Sequence, residues 1–435
     1  VQASLCRNFL TGRISMNYKR IDFKRALVKN HKCPFIFVGE ILVFFIDLVK
    51  VYFSKRWNSI FKSMIPFVNL TAQRNFLRKE LEEAEARVLN SGNYIGGSEV
   101  QNFEKELSLY TGMANSITCA SGTDAIELAL NALGLRPGDE VIIPDFSFIS
   151  PAECVYRLGA IPRFADILPD TFLLDPADLM PLITPKTKGI IAVHLFGQTA
   201  AMEILHSIAK SHDLWLLGDA AQSFGAKRNN KHCESLADIT ITSFYPTKPL
   251  GAYGDGGALF TNDDILAEKI RKLANHGSKS RYFHELNGKN SRLDALQAAI
   301  LRVKLEQFDE ELKKRQKNAE IYNQFFSQFP DLTIPYIDPE NTSTYAQYTL
   351  RAKDRNKWLS ICDSAEIPTG IYYPRPLSKQ PCFMNIERQM KNSGASRACH
   401  EVFSLPVCAY TNVEEIIQKI KDKGVEIVDV LLHVG

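Results

Sequence analysis

A lysine held between prolines is an uncommon place for an amine. Lys248 stands in Ser243-Phe-Tyr-Pro-Thr-Lys-Pro-Leu-Gly, and prolines on both sides exclude a helix interior. The side chain therefore projects from a fixed loop. An amine there can form an imine with a carbonyl once its surroundings lower its pKa; the alternative is a solvated surface lysine. The Gly254-Asp-Gly-Gly257 cluster downstream implies close backbone approach, which favours the chemical reading.

Two further groups could meet that amine. Asp219, in Gly218-Asp-Ala-Ala-Gln222-Ser223, follows the apolar run at 214–217. It reads either as a helix N-cap or as a buried carboxylate facing a cationic ring nitrogen. A pyridoxal phosphate site needs such a carboxylate, because the pyridine must stay protonated to act as an electron sink. Ser121-Gly122-Thr123-Asp124 places small residues at a helix start. It reads either as an ordinary cap or as a phosphate site, where free N–H groups and the helix dipole meet an anion.

The elements that must position these residues follow from periodicity. Helical spacing is expected at 76–89 and at 122–133, the latter stopping before Pro137-Gly138-Asp139. Short apolar strands are expected at 140–144 (EVIIP), 189–194, 214–217, 239–244 and 258–261, with helical segments between most of them. That alternation implies a mainly parallel sheet covered by helices on both faces. In such sheets ligands sit beyond the carboxyl ends of the strands, where Asp219 and Lys248 fall. A long helix is expected over 292–329, then a smaller α+β part with a strand at 348–352 and a helix at 413–423. The expected division is a leader at 1–63, a large domain at 64–308 and a small domain at 309–435.

The chain has 435 residues, 45% hydrophobic and 23% charged, enough for a large core. A net charge of +3 gives no reason to propose nucleic acid as a partner. The charge is uneven: residues 1–63 hold 12 Lys and Arg against Asp22, Glu40 and Asp47, a net of +9 that leaves −6 for the rest. Nine cysteines without a C-x-x-C pair argue against a disulfide framework or a zinc site and fit a cytosolic protein. No metal is expected. Cys119 and Cys154 read as small buried hydrophobes, and His194 as a packed structural histidine.

From Met64 to about Val413 the motifs SGNYIGGSEV, ASGTDAIELAL, PGDEVIIPDFSF, GDAAQSFGA, SFYPTKPLGAYGDGGALFTND and NSRLDALQAAIL, in that order and spacing, resemble the DegT/DnrJ/StrS-type sugar aminotransferases. These are fold-type-I pyridoxal-phosphate enzymes. KPLGAYGDGG, NSRLDALQAAIL and YAQYTLR are most similar to the members that aminate C3 of a UDP-linked 3-keto uronic acid for surface polysaccharide. The resemblance implies that Lys248 is the Schiff-base lysine, that Asp219 pairs with the pyridine nitrogen, and that Gln222 meets the ring hydroxyl. It implies that Phe148 stacks on the ring, although Phe148 also has a core-packing reading. Gly122, Thr123 and Ser243 would hold the phosphate. Asn290 would reach the phosphate of a neighbouring subunit, making the enzyme a homodimer with shared sites.

By the same resemblance, Gly92, Tyr94, Thr247, Arg292, Tyr372 and Tyr373 would contact the nucleotide sugar, and glutamate would donate the amine. Arg292 could clasp a uronate carboxylate or a diphosphate in bidentate fashion, or form a helix-surface salt bridge. Tyr372-Tyr373-Pro departs from the family's His-Tyr-Pro pattern, which leaves the sugar open: a 4-keto-6-deoxy-hexose is the alternative. A dehydratase carrying histidine for lysine is disfavoured by Lys248. A non-catalytic regulator is disfavoured by Lys248, Asp219, Gln222 and Ser243 occurring together.

The leader has an apolar stretch at 34–53 interrupted by Glu40, Asp47 and Lys50. Charges at bilayer depth are costly, so no stable membrane span is expected there, and no small-residue cleavage site follows it closely. A basic surface anchor is the alternative. The expectation is that the segment is dispensable for chemistry.

Overall fold

The computed structural model describes residues 65–386 and 394–424. The leader, its anchor alternative and most of the expectation at its boundary lie outside the described residues. From Ile65 onward the chain is one compact unit.

Three helices come first: α1 (Leu70–Phe76), α2 (Arg78–Ser91) and α3 (Gly97–Thr111). The helix expected at 76–89 is thus offset. Leu77 leaves helical geometry and buries its side chain, so the chain bends there rather than at Phe76. The second helix stops at Gly92, whose left-handed φ of 67° suits glycine. Then follow β1 (Asn115–Cys119), α4 (Gly122–Ala132), β2 (Glu140–Pro144), α5 (Ser150–Arg157), β3 (Ile161–Ala165), β4 (Thr187–Val193), α6 (Met202–Ser211) and β5 (Trp215–Asp219). A small ribbon, β6 (Lys227–Arg228) and β7 (Lys231–His232), precedes β8 (Ile239–Ser243), β9 (Gly257–Thr261) and α7 (Asp264–Ala274).

Seven strands form one sheet in the order β1-β9-β8-β5-β4-β2-β3. Its β3, β2, β4, β5 and β8 run parallel, while β9 runs antiparallel to both neighbours. The mainly parallel expectation holds. Along β9 the side chains alternate: Ala258 and Phe260 enter an apolar cluster with Phe103, Phe244 and Leu301, while Leu259 enters another with Ile117, Ala125 and Ile241. Period-two alternation into two separate cores means that both faces are covered.

A second ribbon, β10 (Ser278–Ser280) and β11 (Phe283–His284), leads to α8 (Ala295–Glu306) and α9 (Phe308–Phe326). The single helix expected over 292–329 is therefore two, broken at Gln307, and residues 292–294 precede it as extended chain. Phe308 and Leu312 of α9 pack under the large sheet, whereas Ala319 to Phe326 pack with Tyr348 and Trp358 in a separate core. That core is roofed by an antiparallel sheet of β12 (Leu332–Thr333), β13 (Tyr348–Ala352) and β14 (Val402–Leu405), with α10 (Arg355–Ser364) and α12 (Val413–Lys421), while α11 (Gly394–Glu401) sends Ala395, Ala398 and Cys399 into the core of the large sheet. One helix thus serves both cores, and the expected boundary at 309 falls within its first turn. Among the described residues no helix is long and apolar enough to cross a membrane.

Candidate active site

Asp219 is the last residue of β5 and Lys248 follows β8, its hydrogen-bonded neighbour. Asp219 is buried at 5% exposure, and its Oδ1 accepts from Ala221 N at 3.0 Å. Burial raises its pKa, and the Lys248 ammonium pulls it back. Lys248 shows the complement: burial lowers its pKa, and the Asp219 carboxylate partly offsets that. The two thus face one space without forming a direct ion pair. The cap alternative for Asp219 fails, because no helix starts there.

The loop that carries Lys248 is tight. Lys248 N donates to Tyr245 O (2.9 Å) and Ala252 N to Phe244 O (2.7 Å). A Cβ on Gly251 would lie 2.3 Å from Pro246 O, so only glycine closes this turn. Lys248 itself is half-buried, and burial lowers its pKa, which disfavours the fully solvated surface reading.

At the start of α4 both readings of the motif hold at once. Ser121 Oγ accepts from Asp124 N at 3.1 Å, an N-cap. Gly122 and Thr123 are left at the positive helix end. Gly122 abuts β8: a Cβ there would sit 2.6 Å from Ser243 Cβ. Thr123 Oγ1 and Ser150 Oγ are 2.7 Å apart. Gly122, Thr123 and Ser243 therefore share one small polar cradle.

Gln222 is buried and committed on both sides. Its Oε1 accepts from Phe196 N (2.9 Å) and its Nε2 donates to Tyr373 OH (3.1 Å), leaving one amide proton for a ligand. Tyr373 lies within electrostatic reach of Asp219, and Asp219 of Lys248, so these three and Gln222 lie near one another. Phe148 is 53% exposed, its ring centroid 6.2 Å from that of Tyr373. Its core-packing alternative fails, and one aromatic face is open. Tyr372 turns instead to Phe67, edge to face at 5.9 Å. Thr247 is exposed beside Lys248.

A second, exposed group forms elsewhere. Ala295 N donates to Tyr94 O at 3.0 Å, and Ile95 bridges to Asp294. This pairing joins the loop of Gly92 and Tyr94 to the segment of Asn290 and Arg292. Arg292 Nη1 donates to Asn275 Oδ1 at 3.2 Å. It precedes α8 and pairs with an amide, so the helix-surface salt-bridge reading of Arg292 fails. Asn290 is exposed, while its neighbours are fastened: Lys289 Nζ donates to Asp124 Oδ1 (2.6 Å), and Ser291 Oγ accepts from Ala120 N (3.2 Å). Among the described residues no hydrogen bond, ion pair or ring contact joins Asn290, Arg292, Gly92 or Tyr94 to Lys248, Asp219, Gln222 or Tyr373.

His194 is fully buried, its Nδ1 accepting from Ala200 N at 3.3 Å, with its pKa pushed down to about 3 by burial. It is neutral and structural. Cys119 and Cys154 are buried as expected. Two residues escaped the sequence reading. Phe196 presents its N–H to Gln222 from a left-handed φ of 60°; only the glycine after it hinted at a turn. Asp145, a carboxylate directly after β2, had no visible partner, because Ser378 is remote in sequence.

The donor set fits pyridoxal phosphate. A cradle with no room for a Cβ lies at a helix N-terminus, a buried carboxylate and an amine lie near each other without a direct ion pair, and an exposed aromatic ring stands beside Tyr373. A curated relative from Pseudomonas aeruginosa, a UDP-2-acetamido-2-deoxy-3-oxo-D-glucuronate aminotransferase, is 44% identical over 353 residues, 81% of this chain and 98% of its own. The pleiotropic regulatory protein of Geobacillus stearothermophilus is 40% identical, over 82% of this chain and 98% of its own. The crystal structure of S. venezuelae DesV in complex with a ketimine intermediate matches with a TM-score of 0.81 at 34% identity, covering 84% of this chain and 99% of that one. With a family model matching residues 75–422, the chain belongs to the DegT/DnrJ/EryC1/StrS aminotransferase family and is a pyridoxal-phosphate-dependent sugar-nucleotide aminotransferase.

Proposed function

We propose that the enzyme moves an amino group from glutamate to C3 of a UDP-linked 2-acetamido-3-keto-hexuronate, a step toward surface polysaccharide, as a cytoplasmic homodimer. The observation that carries the reading is the Lys248–Asp219 pair: an amine and a carboxylate, both with pKa values moved by burial, facing one space at the strand ends. The seven described cysteines are free, six of them buried, which suits a reducing compartment.

Pyridoxal phosphate, when bound, supplies an electron-withdrawing ring that makes a C–H bond beside an amine breakable. The chain's residues do the rest. The amides of Gly122 and Thr123 and the hydroxyl of Ser243 would receive the phosphate, Phe148 would cover a ring face, and Gln222 would offer its remaining proton to the ring hydroxyl. Asp219 would hold a proton on the ring nitrogen. The Lys248 amine takes the proton from Cα of the donor amino acid, and in the second half of the cycle returns one to C3 of the sugar. Arg292, exposed and paired only with an amide, is available to a uronate carboxylate beside Tyr94 and Thr247. Asn290, facing outward, reaches the site of a second copy.

Purified protein should be yellow, and glutamate should bleach it. Incubation with the UDP-3-keto-uronate should give a 3-amino product, and with a dTDP-4-keto-6-deoxy-hexose none. The reverse preference would refute the substrate, and a colourless protein that never binds the cofactor would refute the chemistry.

A further inference from the structure

We infer that Asp145 is a positioning residue: its buried carboxylate clamps the segment carrying Tyr372 and Tyr373 against the loop carrying Phe148, and so sets the Tyr373 phenol over the sugar side of the site. The inference rests on the reading of Tyr373 as a substrate contact.

Asp145 is the first residue after β2 and is 3% exposed. Its N–H donates to Ala165 O at 2.8 Å, which fixes it to the end of β3. Everything else it offers goes to one remote turn. Its carbonyl accepts from Leu377 N (2.9 Å), its Oδ1 from Ser378 N (2.6 Å), and its Oδ2 from Ser378 Oγ (2.8 Å). Just beyond it on the same loop, the rings of Phe146 and Phe148 each lie 6.2 Å from the ring of Tyr373. The exit loop of β2 therefore grips segment 372–378 at both ends, by aromatic contact at one and by hydrogen bonds at the other.

A neutral acceptor would satisfy an ordinary turn. A carboxylate here accepts stronger, charge-assisted bonds, and it does so at a cost. Burial raises its pKa to about 6, Asp166 at the exit of β3 raises it too, and Lys379 in the clamped turn lowers it. The thiol of Cys399 on α11 also feels the charge. What the clamp fixes is chemical: Tyr373 OH accepts from Gln222 and lies within reach of Asp219. A segment free to drift would displace the phenol, the group read as the sugar contact, while Gln222 stays held by Phe196 N and Asp219 by Ala221 N.

The test uses the holoenzyme and its two half-reactions, measured separately with glutamate and with the keto-sugar nucleotide. Asp145→Ala should raise KM for the sugar about tenfold through the lost hydrogen bonds, and change the glutamate half-reaction by less than about twofold. Asp145→Asn should restore most of the loss, since its amide can accept from Ser378 N and donate to Ser378 Oγ. The double variant Asp145→Ala/Tyr373→Phe should be no worse than Tyr373→Phe. Equal losses in both half-reactions, or additive effects in the double variant, overturn the inference. An unchanged KM in Tyr373→Phe removes the substrate reading of Tyr373 and this inference with it. A raised KM in Tyr373→Phe beside a silent Asp145→Ala sinks Asp145 alone. Should Asp145→Ala fail to fold, Ser378→Ala loses a single bond and must show the same selectivity for the sugar half, at about threefold.

Discussion

At the scale of single residues, the proposed chemistry rests on two groups held away from their ordinary proton affinities. The Asp219 carboxylate raises the pKa of the Lys248 amine, while burial lowers it. Removing the charge leaves burial unopposed. In cofactor-free protein, Asp219→Asn should therefore let Lys248 react with an amine-selective arylating reagent at lower pH than in the wild type; a shift to higher pH would contradict the pairing. Turnover of the loaded variant should fall about 10²–10³-fold, the scale of losing one well-placed electrostatic partner. His194 gives a different pH dependence. Its folded pKa of about 3 lies below the ordinary 6.5, so the unfolded chain binds the proton more readily between those values. Its contribution is full above pH 6.5 and is lost as pH falls, at up to about 1.4 kcal/mol per unit. Asp145 and Glu234, with pKa values raised to about 6 and about 7, act in the opposite sense. The denaturation midpoint of His194→Gln, compared with wild type from pH 7 to 4, isolates the histidine: the variant should lose less stability on acidification.

At the scale of elements, the cradle is a joint between two secondary structures rather than a property of either. The N-terminus of α4 presses on the end of β8 so closely that Gly122 has no room for a methyl group. Gly122→Ala must part them. We expect a loss of about 1–3 kcal/mol in stability, the usual range for overpacking, and a cofactor dissociation constant raised more than in Ser121→Ala. That second variant loses only a cap, worth about 1 kcal/mol. Absorbance titration with the cofactor and thermal melts measure both; equal cofactor affinity in the two variants would show that the joint does not form the cradle. The helix start, its cap and the strand were each legible locally. Their meeting was not, since Gly122 and Ser243 are brought together only by sheet order.

At the scale of the whole molecule, two groups of candidate residues share no hydrogen bond among the described residues. Lys248, Asp219, Gln222 and Tyr373 converge, whereas Asn290, Arg292, Gly92 and Tyr94 face outward together. If a second copy completes each site, Lys248→Ala and Asn290→Ala should each be nearly inactive alone yet regain activity when mixed and allowed to exchange. One intact site per mixed dimer gives roughly a quarter of wild-type turnover for random exchange in a twofold dimer. No recovery despite demonstrated exchange would place Asn290 in its own subunit's site or in none.

What the sequence determined by itself was chemistry and local form. A lysine between prolines, an acid at a strand end and a Ser-Gly-Thr helix start are each set by neighbours a few residues away, as are five of the seven strands of the large sheet, β1 and β3 being the two not expected. The helix breaks at Leu77 and Gln307 were hidden, because long-range packing rather than local propensity bends the chain there. Tertiary structure alone decided which groups meet. It ran β9 against its neighbours, put Phe196 N and Tyr373 on Gln222, and clamped Asp145 to Ser378 across 233 residues of chain. Contacts between such distant residues leave no periodic trace in a sequence; they appear only once burial of the apolar faces has fixed the order of the strands.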